Sequence, residues 1–234
     1  MITVEYLLAA FTDLSLQAFD IPKLRGYFAH KYANDPLFHN HLKAEKCSYR
    51  YPQIQYRIYK GHPALIGIGE GIDAVKKIIL DNHNIRIGNS SMPVNEFLVD
   101  IRKEEFGQCE EIQSYHFVSP WMALNQDNYR EYIKTTTLEQ EIRLQRILRG
   151  NLLTISKAFS YTIPDLDSIE VEGSFRTVSR NFHNIPMHCF TGQFSMNFKI
   201  PNNLALGKQV TRGFGVVEVK NSRTNVGHLV TRNI

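Results

Sequence analysis

Hydrophobic periodicity in the opening half of the chain switches between strand and helix values in one order, and that order restricts the fold more than any other feature. Ile2 to Phe11 reads as a strand. Ile21 to Tyr32 reads as a helix, with Asp20 as its N-cap, Pro22 in the first turn, and Leu24, Tyr27 and Phe28 on one face. Tyr49 to Tyr59 alternates apolar with polar residues and predicts a strand; Gly61 makes a turn and Pro63 to Ile68 predicts its partner. Gly71 to Asp81 predicts a short helix with Ile72, Val75, Ile78 and Ile79 inward, and Glu96 to Phe106 alternates again.

Strand, helix, strand, strand, helix, strand is the ferredoxin-like pattern. A second round follows. Ile112 to Val118, Ser168 to Ser179, Thr191 to Ile200 and Phe214 to Val219 read as strands. Asn125 to Tyr132 and Leu138 to Phe159 read as helices, and the second helix of this round is reduced to the region before a glycine-rich loop. The expected fold is α+β: two tandem ferredoxin-like (RRM-type) domains, residues 1–107 and 108–234, joined near Gly107 and packed with a cleft between them.

At 234 residues, with 43% hydrophobic and 21% charged residues, the chain is long enough to bury a real core. A net charge of +4 permits an acidic partner without demanding one. The three cysteines, Cys47, Cys109 and Cys189, lack metal-ligand spacing and indicate neither a zinc site nor a disulfide framework. They suit a reduced, cytoplasmic setting. The N-terminus does not read as a signal peptide, and no apolar run is long enough to span a bilayer, so no membrane partner is expected.

Residues 204–219 place a glycine-punctuated basic loop ahead of a β-branched strand. Gly207, Gly213 and Gly215 free the backbone to turn and to approach something bulky. Lys208 and Arg212 add positive charge and Phe214 a flat aromatic surface. These residues suit either a tight turn before the last strand or a loop that holds a polyanion, RNA first among the candidates. The helix from Leu138 carries Arg143, Arg146 and Arg149 along one stripe, opposite an apolar face of Ile142, Leu148, Leu152 and Ile155. That stripe suits phosphate contacts or a solvated face paired with Glu139 and Glu141. Arg25 is a further candidate phosphate contact, whereas Trp121 reads as a core residue.

His39 and His41 stand two residues apart just after the first helix. Imidazoles titrate near neutral pH, so they can take a proton from a ribose 2′-hydroxyl or give one to a leaving 5′-oxygen. Lys43 and Lys46 follow and could steady phosphorane charge; Tyr27 supplies a phenol from the preceding helix, although its place on the apolar face favours the core. Surface histidines would give the same pattern. A zinc site would need a third ligand, and none stands nearby.

Four segments bear a resemblance to a known family: KLRGYF (23–28), PLFHNH (36–41), FVSPWMALNQDNYREY (117–132) and LALGKQVTRGFG (204–215). In this order they resemble the CRISPR-associated endoribonucleases that cleave repeat RNA, over nearly the whole chain. The resemblance implies tandem RRM-type domains and metal-independent cleavage. In that reading His41 is the general base and His39 assists or acts as general acid, with Tyr27 and Lys46 the nearest matches to accessory catalytic residues. It further implies 2′-hydroxyl attack giving 5′-hydroxyl and 2′,3′-cyclic phosphate ends, no cofactor, and contact of the glycine-rich loop with the RNA. Expected partners are CRISPR repeat RNA as precursor guide RNA and a multi-subunit interference complex, with the protein a monomer or homodimer. Many relatives have glycine where this chain has Ala205. A non-cleaving RNA-binding relative is the main alternative. An enzyme binding a nucleotide phosphate in the loop is weaker, because no strand–loop–helix with a lysine-serine ending is present.

Overall fold

The computed structural model describes residues 1–38, 51–81, 84–182 and 185–220, which fall into two compact units. The N-terminal unit comprises Val4–Lys103 together with Thr211–Gly213. The C-terminal unit comprises Met1–Thr3, Glu104–Val210 and the strand segment that begins at Phe214.

In the N-terminal unit, β1 (Ile2–Phe11) is followed by α1 (Ile21–Lys31), β2 (Ile54–Tyr59), β3 (His62–Ile68) and α2 (Gly71–Asp81). A short hairpin, β4 (Asn84–Ile87) and β5 (Ser90–Pro93), precedes the long strand β6 (Phe97–Phe117). The strand order is β2-β3-β1-β6, with β3 antiparallel to both β1 and β2 and Tyr6 opposite Ile68. Six of the ten residues of β1 form an unbroken buried run, as expected of a strand with neighbours on both sides. Leu24 and Phe28 of α1 and Val75 and Ile78 of α2 share one core with Leu7, Phe11, Tyr56 and Leu65. Each fully buried side chain of this size contributes about 1.5–3 kcal/mol.

Asp20 does not cap α1 as expected. A one-turn helix over Ala18–Asp20 runs straight into α1, giving Asp20 helical angles; its carboxylate instead accepts from Lys23 (2.8 Å) and the Gln17 N–H (3.3 Å). Pro22 does stand in the first turn.

The C-terminal unit contains the distal part of β6, α3 (Gln126–Tyr132), α4 (Thr137–Ala158), β7 (Val171–Phe182), β8 (Ile185–Lys199) and β9 (Val217–Val219). β8 lies between β6 and β7, and β9 pairs with the end of β6. A single turn at Val210–Arg212 stands where the round's second helix would be. α4 starts at a capping box in which Thr136 and Glu139 exchange hydrogen bonds. Its buried face is Leu144, Leu148, Leu152 and Ile155; Ile142, expected inward, is exposed and Leu144 takes its place.

The chain does not break at Gly107. The two strands expected at Glu96–Phe106 and Ile112–Val118 are one 21-residue strand, and its pairing with β8 shifts register between Gln108 and Gln113. Gly107 takes φ +135°, where a Cβ would meet the Met1 Cα and the Tyr161 ring within 3 Å. It therefore stands inside a strand, close to the point where one unit gives way to the other.

Candidate nucleic-acid interface

His39, His41 and Lys46 lie outside the described residues, as do Lys43 and Cys47. The residue before His39 is firmly held. Phe38 is 3% exposed and stacks on Tyr32 with ring centres 4.7 Å apart. Asp35 fastens the same turn, accepting from the Leu37 N–H (3.0 Å) and the Phe38 N–H (3.2 Å). The chain thus leaves the N-terminal core for the histidine segment from a defined point.

Tyr27 lies on the same unit, half-buried on α1. Its hydroxyl donates to the Asn84 carbonyl at 3.0 Å, and burial pushes its pKa up. The phenol is therefore neutral and engaged with the backbone at the start of β4.

The glycine-rich loop divides its glycines between two tasks. Gly207 has φ +88°, and a Cβ there would press on the Trp121 indole and the Met122 carbonyl. Gly215 has φ +72°, and a Cβ would collide with the Leu206 carbonyl. The bulky thing these two backbones approach is the protein itself. Gly213, at φ +85°, would meet nothing nearer than the Tyr56 carbonyl at 3.4 Å and Ile21 at 3.6 Å. Its glycine is required by angle, not by space.

Thr211–Gly213 belong with the N-terminal unit, so the loop tip rests against α1 and β2. Arg212 is close enough to Arg25 of α1 that the two guanidiniums repel; burial first, then Arg25, lowers the Arg212 pKa. Arg25 also acts on the Tyr56 phenol, whose pKa burial drives far up. Arg57, 1% exposed and donating to Gln55 at 2.6 Å, follows in the same strand. The sequence does not single out Arg57, whose one signal is a charge at an inward strand position. Two charges far apart in the chain are thus brought together at a half-buried site, where like-charge repulsion is poorly screened and an anion would relieve it. Lys208 is exposed, its N–H bonded to the Met122 carbonyl at 3.0 Å, and Phe214 is half-buried. Ala205 is fully buried and bridges to Val216.

The α4 stripe is differently disposed. Arg143 forms a 2.6 Å ion pair with Glu131 of α3, not with the expected Glu139 or Glu141. Glu139 is occupied by Thr136. Arg149 Nε donates to the Ile169 carbonyl at 2.8 Å, and Arg146 is exposed. Trp121 is fully buried as expected, stacked on Phe117 at 5.1 Å with its Nε1–H donated to Asn151. Among the described residues no three His, Cys, Asp or Glu side chains converge as a metal would require, and no helix is long and apolar enough to cross a membrane.

Comparison with known proteins agrees with this architecture. Residues 2–105 match the Cas6b N-terminal domain and residues 107–220 the Cas6b C-terminal domain. A crystal structure of Cas6b superimposes with a TM-score of 0.86 at 37% identity, covering 92% of this chain and 99% of that one. A second, titled CRISPR RNA processing endoribonuclease Cas6b, gives 0.76 at 33% identity over 93% of this chain and 100% of that one. An uncharacterised protein of Methanocaldococcus jannaschii is 34% identical over 144 residues, 60% of this chain and 95% of its own. With both domains matched in order along nearly its whole described length, the chain belongs to the Cas6b family.

Proposed function

We propose that this protein is an endoribonuclease that cleaves CRISPR repeat RNA in a precursor transcript to release guide RNAs, without a metal ion. The observation that carries the reading is the match of both domains to Cas6b, one of whose solved relatives is named a CRISPR RNA processing endoribonuclease; the nearness of Arg25 on α1 to Arg212 at the loop tip supports it. A phosphodiester held there would offset the repulsion between the two guanidiniums and gain charge-assisted hydrogen bonds.

In the proposed reaction His41 takes the proton from the 2′-hydroxyl next to the scissile phosphate. The 2′-oxygen attacks phosphorus, the bond to the 5′-oxygen breaks, and His39 delivers a proton to that oxygen. The products carry a 2′,3′-cyclic phosphate and a 5′-hydroxyl. Lys46 would stabilise charge on the phosphorane, and Tyr27, neutral and tied to Asn84, would brace the helix beside it. In this division of labour residues 1–107 carry the chemistry, while residues 108–234 grip RNA through Lys208, Arg212, Gly213 and Phe214, with Gly207 and Gly215 shaping the loop.

The test is cleavage of end-labelled repeat RNA in EDTA. Wild-type protein is expected to cut, and the His39→Ala, His41→Ala double variant to lose about 10²–10⁴ or more in rate while still binding RNA. Undiminished cutting by the double variant overturns the assignment. Tight binding by wild type without cutting leaves a guide-RNA-holding protein instead.

A further inference from the structure

The C-terminal unit contains a groove of about 650 Å³ to which neither the arginine stripe nor the loop tip contributes. This volume lies within the roughly 300–1,000 Å³ typical of small-ligand sites. Met122, Leu124 and Met187 give it an apolar lining, and Tyr129 of α3, 39% exposed, gives it an accessible aromatic ring. His188 completes the wall, its ring 5.4 Å from Tyr129 and supported by Tyr132 at 5.7 Å and Phe190 at 5.2 Å. His188 Nε2 is shut off from solvent and has no hydrogen-bond partner among the described residues. Burial lowers its pKa, so at neutral pH the ring is an uncharged flat surface.

The polar groups narrow the choice of ligand. Asn125 is committed to capping α3 through Asn128. Gln126 presents an exposed amide with both a donor and an acceptor, and Lys208 an exposed ammonium. The lining contains no carboxylate. A flat heteroaromatic ring with hydrogen-bonding edges and an attached negative charge fits this set; a cationic or purely apolar partner does not. Lys208 is also the residue from which the chain continues, within a few positions, to Arg212.

We infer that this groove holds one unpaired base of the RNA substrate, stacked on Tyr129, read at its edge by Gln126, with its phosphate on Lys208. Such stacking is the usual means by which proteins take up single-stranded RNA bases. The inference rests on the RNA-cleaving reading and adds a base-selective subsite to it.

The experiment uses the full-length protein and fluorescein-labelled repeat RNA, with an abasic ribose placed at each position in turn. Binding is read by anisotropy and cutting on gels. Wild type is expected to lose roughly 5- to 150-fold in affinity at one position or two adjacent ones. Tyr129→Ala should lose a similar factor on unmodified RNA and suffer no further loss from the sensitive abasic substitution. Gln126→Ala should change which base is preferred there. In wild-type protein labelled at its methionine methyls, the Met122 and Met187 signals should shift with intact RNA and much less with the sensitive abasic RNA. That measurement stands even if Tyr129→Ala folds poorly. An abasic penalty equal in wild type and Tyr129→Ala, or methionine signals blind to the abasic change, overturns the inference while cutting of intact RNA upholds the broader reading. Wild type that neither binds nor cuts the repeat overturns both.

Discussion

Two groups of arginines contrast sharply in this protein. Arg143, Arg146 and Arg149 stand on one helix at regular spacing, and a reader of the sequence finds them at once. Arg25 and Arg212 sit near opposite ends of the chain and suggest nothing as a pair. Yet the regular stripe is largely occupied by the protein, with Arg143 bound to Glu131 and Arg149 to the Ile169 carbonyl. The distant pair is brought near enough by the fold that Arg25, after burial, lowers the Arg212 pKa. Spacing along a helix shows which charges can share a phosphate strand. It does not show which charges the fold brings together.

The contrast can be broken most directly by RNA binding. Arg25→Ala, Arg212→Ala is expected to weaken repeat-RNA binding by about 100-fold or more, since each charge-assisted hydrogen bond lost is worth about 1.5–3 kcal/mol. The slope of log affinity against log salt should become shallower by about one to two. Arg143→Ala, Arg149→Ala should change binding by less than about 5-fold, an effect well under one charged hydrogen bond. Equal losses from the two double variants would erase the distinction.

Stability sharpens it from the other side. Arg149→Ala leaves the buried Ile169 carbonyl without its charged donor and should cost about 1.5–3 kcal/mol of folding free energy, read from urea midpoints at constant slope. Arg143→Ala breaks a partly exposed ion pair and should cost less than about 1 kcal/mol. A reversal of this order would mean that the ion pair to α3, not the backbone contact, anchors that helix face.

The smallest effect concerns pH. His188 has a folded-state pKa below its ordinary value because burial disfavours the imidazolium. Its neutral form is thus the one that folding favours. The associated stability is fully present above the ordinary histidine value near pH 6.5 and is lost as pH falls from there through the depressed folded value. Melting temperature should therefore drop more between pH 7 and 5 in wild type than in His188→Gln. Parallel curves would show that the ring gains water or a partner on protonation.

Much of the architecture is visible in local pattern. The order of β1, α1, β2, β3 and α2 follows from periodicity and the Gly61 turn, and α2 begins and ends where the pattern ends. α3 and α4 begin at an asparagine and a threonine that cap by hydrogen bonds to residues three further on. Trp121 reads as core and is core. The β4–β5 hairpin escapes notice because each strand is only four residues long, too short for the alternation of Asn84–Ile87 to stand out. Ile142 and Leu144 exchange roles because a helix pattern with apolar residues at both positions permits two faces, and packing against β7 selects one. The groove near Tyr129 is equally silent, since an aromatic residue on a short polar helix says nothing of the hairpin opposite it.

The chain's own order of residues therefore dictates most of the segments that become strands and helices. Those outcomes depend on torsion preferences, caps and side-chain period acting over a few residues. It also dictates that glycine occupy 207, 213 and 215, where the backbone adopts positive φ. It does not dictate that β6 runs unbroken through Gly107, because β8 supplies the partner that keeps the strand paired there. Nor does it announce that Arg25 meets Arg212, for that encounter arises only when the loop tip folds back onto α1 and β2. Local forces act between sequence neighbours; the electropositive site depends on residues that become neighbours only through the packing of the core.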